Sequence, residues 1–307
     1  MRIAVMAAGA AGGYFGARLA AAGHDVVFFA RGAHLAAIRN NGLKIESVLG
    51  DLHLKDVQAT DDPAGVAPVD IVLFAVKLWD TERAAEQLRP IMGAGTRVIT
   101  VQNGIDALER LQPILGAGRV VPGIARIATV IGSPGVIQHT SRFALIRCGH
   151  LDGHADPTLT AFVDAARQAD LDIALSDAME FELWDKFVFL SAMAGATAAT
   201  RLPIGQILAD PDTKALLHNL LREVVAVGRA KGAPLPPDFA DQQLMFASTT
   251  LPPGMKASMA HDLERGNRLE LDWLSGKVVE LGRALGVATP TTDVVYAVLK
   301  PHRMGRA

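Results

Sequence analysis

The segment "AAGAAG" (Ala7, Ala8, Gly9, Ala10, Ala11 and Gly12) follows the apolar run "RIAVMA" and opens a stretch of small residues. The first backbone N–H groups of a helix have no intrahelical partner, and with the helix dipole they can hold phosphate. In the dinucleotide-binding turn G-x-G-x-x-G, the second glycine lets the backbone approach a pyrophosphate. The third lets the helix pack close to the strand. Gly9 and Gly12 occupy those two places, and Ala7 stands in the first, where alanine costs little if φ stays negative. Ala7–Gly12 is therefore read as a phosphate cradle. Arg31 follows the next apolar run, "DVVFFA". An acid there would bond the ribose hydroxyl of NAD, whereas a guanidinium suits the 2′-phosphate of NADP, so NADP, as NADPH, is the expected cofactor.

Two further polar positions fit the same plan. Lys77 directly follows "DIVLFAV", and Asn103 sits in "QNG" after "RVITV". Ligands of open α/β sheets bind beyond the carboxyl ends of the strands. Successive strand ends thus carry glycines, an arginine, a lysine and an asparagine. In the second half, Lys186 heads the apolar run in "ELWDKFVFL", and Ser258, Asp262, Glu270 and Asp272 are spaced along "KASMAHDLERGNRLELDWLSG". Taken alone, these residues read as solvated helix faces. Cys148 closes "RFALIRC" and reads as a buried structural thiol; as the only cysteine, it allows no intrachain disulfide. No serine stands in a G-x-S-x-G setting, no H-E-x-x-H motif occurs, and the histidines are given no ligand role, so no metal is expected.

The elements that must position these residues come from the pattern of apolar runs. "RIAVMA", "DVVFFA", "DIVLFAV" and "RVITV" are short and apolar on both faces, as in strands of a parallel sheet covered on both sides. Helical patterns ending in glycine alternate with them, which predicts a Rossmann-type doubly wound α/β sheet. "VVPGIARIATV", "GVIQHT" and "FALIRC" predict three more strands as an antiparallel extension, and "LDIAL" one more. After that the texture is helical, with patterns over 179–200, 213–231, 256–265 and 269–285. The expected division is residues 1–176, an NADP-binding domain, and 177–307, an all-helical domain for substrate and catalysis. A site is expected in the cleft between the two.

The glycine turn with Arg31, then "VKLWD", "QNG", "ELWDKF" and S-M-x-x-D-x-x-x-G-x-x-x-E-x-D occur in this order. The chain resembles the ketopantoate reductase (2-dehydropantoate 2-reductase) family nearly end to end, and the two C-terminal motifs are the most specific part. The resemblance implies NADPH-dependent reduction of a 2-oxo acid to a 2-hydroxy acid, with 2-dehydropantoate as substrate. It implies that Lys186 is the proton donor and Glu270 the catalytic acid near lysine and cofactor. Ser258 would touch substrate, Asn103 both cofactor and substrate, and Lys77 the cofactor. A lysine ammonium suits this chemistry, because it can stabilise developing alkoxide charge and then give up a proton.

The sequence departs from the family pattern on the substrate side. The family's lysine helix carries asparagines four and eight residues beyond the lysine, where this chain has Leu190 and Ala194. A third family asparagine aligns near Ile204. Ser258, Arg126 and Arg201 are the candidates to replace them as partners for substrate. Two alternatives therefore stand beside ketopantoate reduction: reduction of a different, less polar 2-oxo acid, and a non-catalytic NADP-binding sensor.

Composition sets the outer bounds. The 307 residues suit two domains of ordinary size, and a formal charge of −2 argues against an electrostatic nucleic-acid binder. No apolar stretch reaches membrane-span length and no signal-type segment opens the chain, so a cytoplasmic protein without membrane partners is expected. A monomer or a homodimer is compatible with the helical patterns.

Overall fold

The structure, a computed structural model, describes residues 1–306. The chain starts as β1 (Arg2–Met6), α1 (Ala10–Ala21), β2 (Asp25–Phe29), α2 (Gly32–Asn41), β3 (Leu43–Ser47), β4 (Leu52–Leu54) and β5 (Gln58–Thr60). It continues as β6 (Val69–Phe74), α3 (Thr81–Leu88), β7 (Met92–Thr100), α4 (Ala107–Leu115), β8 (Val120–Ser133), β9 (Val136–Cys148), α5 (Pro157–Gln168) and β10 (Asp172–Leu175). These strands form one sheet in the order β4-β3-β9-β8-β7-β6-β1-β2-β5, with β10 pairing β9. From β8 to β5 every neighbouring pair is parallel, and the β8–β9 hairpin turns the sheet antiparallel.

Alternation along β1 shows why its residues are apolar throughout. Ile3 and Val5 pack into one core with Phe15 and Leu19 of α1 and Phe162 of α5. Ala4 and Met6 pack into another with Ala84 and Leu88 of α3 and Leu111 of α4. A strand buried on both faces keeps no polar side, so a continuous apolar run is its signature.

The remaining elements are helical: α6 (Met179–Thr200), α7 (Ile204–Ala209), α8 (Pro211–Ala230), α9 (Phe239–Thr250), α10 (Ser258–Arg265), α11 (Ser275–Leu285) and α12 (Pro290–Leu299). They surround a core of their own, centred on Trp184, Phe187, Leu221, Val224, Leu271 and Val278. Two compact units result. One comprises Met1–Gln102 and Asp106–Met179; the other comprises Asn103–Ile105 and the residues from Glu180 onward. No helix among the described residues is long and apolar enough to cross a membrane.

The doubly wound sheet, its antiparallel extension and the helical second half are as the sequence pattern predicts. Two local expectations are corrected. "GVIQHT" and "FALIRC" are not separate strands but the two ends of β9, which continues through the polar "SR", where its register with β8 shifts and Ser141 Oγ accepts from Ala128 N–H at 3.0 Å. The predicted helix over 269–285 begins only at Ser275. Before it, Leu271–Trp273 form a 3₁₀ turn, and Leu274 is non-helical at φ −103°, ψ −96°. Leu269 N–H donates to the Arg303 carbonyl at 2.9 Å, and the Trp273 and Leu274 amides both return to the Glu270 carbonyl, at 3.2 and 3.1 Å, so the hydrogen bonds here are not those of an α-helix running from 269.

Candidate functional site

In the sheet unit the parallel ladder runs on past the strands and ties their C-terminal loops together. Ala8 N–H donates to the Phe29 carbonyl at 2.7 Å, Ala30 N–H to Thr60 at 3.1 Å, and Val101 N–H to Phe74 at 3.0 Å. The glycine turn, Arg31 and Lys77 therefore gather along one edge of the sheet. Gly9 is the N-cap of α1, so the amides of Ala10, Ala11 and Gly12 lie in its first turn, without intrahelical acceptors.

The two glycines have different surroundings. A Cβ on Gly12 would collide with the Ala7 carbonyl oxygen and lie 3.0 Å from Val5 Cγ1, so this position serves close packing of α1 on β1. A Cβ on Gly9 would meet nothing within 4 Å. The backbone at Gly9 thus faces open space, which a pyrophosphate could approach closely. Arg31 is exposed and donates to Gln87 Oε1 at 3.0 Å, and the exposed Lys77 lies over the Trp79 ring at 5.7 Å from its centroid. Free amides, an open glycine and two cations along one edge fit an anionic dinucleotide.

A residue that the sequence reading missed fixes the turn. His34, on α2, accepts from Gly135 N–H at its Nδ1 (3.0 Å), so the ring proton resides on Nε2 and is donated to the Ala8 carbonyl (2.9 Å). One neutral imidazole joins the cradle to the β8–β9 hairpin. Burial lowers its pKa below the ordinary 6.5, with the bond to Ala8 acting against that shift. A lone histidine in "RGAHLAA" carries no sequence signal for this task, because both partners are backbone atoms distant along the chain.

Gln102, at the end of β7, is a second missed residue. It is buried and donates to the Val76 carbonyl at 3.0 Å and to Thr81 Oγ1 at 2.8 Å, which holds the loop that carries Lys77. Cys148 is fully buried, and burial pushes its thiol up to about 12, so it has no thiolate chemistry near neutral pH.

The helical unit holds the other candidates. Lys186 is half-buried on α6, one residue before Phe187 and two after the buried Trp184. Its neighbour Asp185 accepts from Gln243 Nε2 at 2.7 Å, which ties α6 to α9. Glu270, only 6% exposed, accepts from Asn103 Nδ2 at 3.1 Å, so the asparagine of "QNG" and the acid of the C-terminal motif are joined across 167 residues. Ser258 is the exposed first residue of α10, and the Ala257 N–H before it donates to Thr197 Oγ1 of α6 at 3.3 Å. Asp272 accepts from the Tyr296 hydroxyl at 2.8 Å and Asp262 from Asn267 Nδ2 at 3.1 Å, so both have structural partners.

The apolar substitutions separate on inspection. Ala194 and Ile204 are sealed in the helical core, at 0% and 1% exposure, while Leu190 is partly exposed one helical turn beyond Lys186. Arg201 is exposed just past α6 with a left-handed φ of 65°, a conformation usual for glycine at a helix end. Arg126 is half-buried on β8.

A doubly wound parallel sheet with an open glycine turn at the start of α1, followed by a helical unit with a lysine and a buried acid, fits a nicotinamide-dinucleotide oxidoreductase. Residues 3–153 match the family model "Ketopantoate reductase PanE/ApbA" and residues 178–303 its C-terminal counterpart. The chain belongs to the PanE/ApbA ketopantoate reductase family, and it is an NAD(P)-dependent 2-oxo acid reductase. It is 32% identical to the 2-dehydropantoate 2-reductase of Mesorhizobium japonicum over 98% of this chain and 97% of that protein. A PanE/ApbA family ketopantoate reductase from Ralstonia eutropha JMP134 superposes with a TM-score of 0.88 at 33% identity, covering 99% of this chain and 98% of that one. D-mandelate dehydrogenase, solved with NADH and anilino(oxo)acetate, shares the fold, with a TM-score of 0.89 at 18% identity over 99% of this chain and 98% of its own.

Proposed function

We propose that the chain reduces 2-dehydropantoate (ketopantoate) to pantoate with NADPH. In this reading residues 1–176 bind the cofactor and residues 177–307 supply substrate contacts and the proton. The observation that carries it is the hydrogen bond between Asn103 and the buried Glu270, within the unit that also bears Lys186. A protein that only bound a dinucleotide would not need Lys186, Glu270 and Ser258 together. The amides of Ala10, Ala11 and Gly12 hold the pyrophosphate, Arg31 the 2′-phosphate, and Lys77 adds cationic charge on the cofactor side. When bound, the dinucleotide supplies the hydride.

Lys186 faces the negative charge that develops on the keto oxygen and then donates its proton there. Glu270 keeps that surrounding polar and orients Asn103, and Ser258 offers a hydroxyl to the substrate. Arg201 is a candidate partner for the carboxylate. The reading also assigns the protein to pantothenate biosynthesis in the cytoplasm.

Leu190 favours a second reading, reduction of a less polar 2-oxo acid. It lies one turn beyond Lys186, where an amide side chain would offer a hydrogen bond and an isobutyl group offers apolar surface. The test is a steady-state panel of branched, hydroxylated and aromatic 2-oxo acids with NADPH, run on the wild type and on Lys186→Ala. Ketopantoate is expected to give the highest kcat/KM. Lys186→Ala is expected to keep cofactor affinity and lose kcat by about 10²-fold or more, the usual scale for a positioned acid. A near-normal kcat in that variant would remove Lys186 from the reaction. A higher kcat/KM for an apolar acid would select the second reading, and tight NADPH binding without turnover of any 2-oxo acid would make the protein a sensor.

A further inference from the structure

The loop between β9 and α5 carries the sequence "GHLDGHAD", residues 149–156. It folds back on itself through a turn in which Gly153 N–H donates to the His150 carbonyl at 3.1 Å, with Gly153 in the left-handed region at φ 70°. That turn lays the His154 ring on the His150 ring, with centroids 3.8 Å apart and planes 22° from parallel. Asp156 closes the group: its Oδ2 lies 3.1 Å from His150 Nε2, and its Oδ1 accepts from Thr158 N–H at 2.9 Å as the N-cap of α5. One nitrogen from each ring and one carboxylate oxygen all lie within 4.8 Å of one another. His150 and Asp156 are buried, at 8% and 4% exposure, while His154 is exposed. The two histidines have H-x-x-x-H spacing, so a reading of the sequence as lacking that spacing is corrected here.

We infer that His150, His154 and Asp156 form a binding site for a borderline transition-metal cation of the Zn²⁺ or Ni²⁺ type. Two imidazoles and one carboxylate are the donor set of such ions, whereas Mg²⁺ and Ca²⁺ require oxygen. The present His150–Asp156 contact is bridged by one proton. Two ligand atoms each about 2.1 Å from a tetrahedral zinc stand about 3.4 Å apart, close to that contact, so a cation can take the proton's place with little movement. His154 completes the set by rotating out of its stack, which its exposed position on a turn allows.

The surroundings are suited to this. Asp152 Oδ1 lies 2.6 Å from His154 Nδ1 and takes the proton there, which leaves Nε2 as the coordinating atom. A carboxylate behind a metal-bound histidine is the usual orienting arrangement. On Asp156, Oδ1 is engaged by Thr158 N–H and Oδ2 faces His150. Arg97 Nε donates to the same Oδ2 at 2.5 Å, which leaves that oxygen one further lone pair, the one now facing His150. Asp152 and Asp156 together bring two negative charges against one from Arg97.

The site is separate from the cofactor turn. β9 runs antiparallel to β8, with Cys148 opposite Gly123, so the loop after Cys148 lies towards the N-terminal ends of β7 and β8. The glycine turn follows the C-terminal end of β1. Isothermal titration of Zn²⁺, Ni²⁺ and Mg²⁺ into untagged full-length protein at pH 7.5 tests the assignment. One equivalent of Zn²⁺ or Ni²⁺ should bind and Mg²⁺ should not. His154→Ala, at an exposed position, should weaken binding at least 10-fold and leave reductase activity unchanged. Asp152→Asn should weaken binding by about 10-fold, the low end for loss of an orienting carboxylate. No stoichiometric binding by the wild type, or equal binding by His154→Ala, would overturn the inference and leave the cluster as a purely structural bridge.

Discussion

His34 shows how one side chain can set the pH response of the glycine turn before α1. Its Nδ1 must accept from Gly135 and its Nε2 must donate to Ala8, a task for the neutral ring only. The folded pKa lies below 6.5, so above that pH both folded and unfolded chains hold the ring neutral and the contribution is complete. As pH falls below 6.5 the unfolded chain takes up a proton first, and stability declines towards the folded pKa. Thermal melts between pH 8 and 5 should show this decline, and His34→Gln, whose amide can both accept and donate, should flatten part of it. His139 is lowered for the same reason, by burial, and should supply a residual slope. An identical slope in wild type and variant would show that the ring does not titrate as described. Among the residues that could do chemistry, the sequence singled out Arg31 and Lys186 from their places in recognisable motifs. It concealed His34 and Gln102, whose partners are backbone and side-chain groups brought near only by the sheet.

At the scale of elements, the strand–turn–helix unit from β1 to α1 assigns its two glycines different duties. Gly12→Ala presses a methyl group into the Ala7 carbonyl and Val5, and overpacking of that kind costs about 1–3 kcal/mol. Gly9→Ala points into open space and should leave the unliganded melting temperature near wild type, while it raises the KM for the dinucleotide. Differential scanning calorimetry beside cofactor kinetics separates the two, and a Gly9→Ala protein with unaltered KM would exclude close approach of the cofactor there. The same elements show what a linear pattern can and cannot reveal. The both-faces-apolar strands β1, β2, β6 and β7 were readable because burial leaves no polar position. The short strands β3, β4 and β5 were not, since "LKIES", "LHL" and "QAT" hold too few apolar residues to establish a period. The stretch from Leu269 to Leu274 looked helical by composition, yet the Leu269 amide is bonded to the distant Arg303 carbonyl, a partner that no local pattern announces.

For the whole molecule, cofactor binding and stability are linked. A ligand that binds only the folded chain stabilises it by about 2.7 kcal/mol at a hundredfold excess over its Kd. NADPH should therefore raise the melting temperature more than NADH at equal concentration, and Arg31→Ala should erase that difference while Lys186→Ala retains it. Equal shifts from both cofactors in the wild type would remove Arg31 as the discriminating group. Three residues in the middle of the sheet unit's sequence add a constraint of another kind. The chain leaves that unit after Gln102, spends Asn103–Ile105 within the helical one, returns at Asp106 and departs again after Met179. Anyone recombining this enzyme with a relative at residue 180 would graft a foreign acid opposite a native asparagine. A working hybrid must therefore exchange the tripeptide along with the C-terminal half.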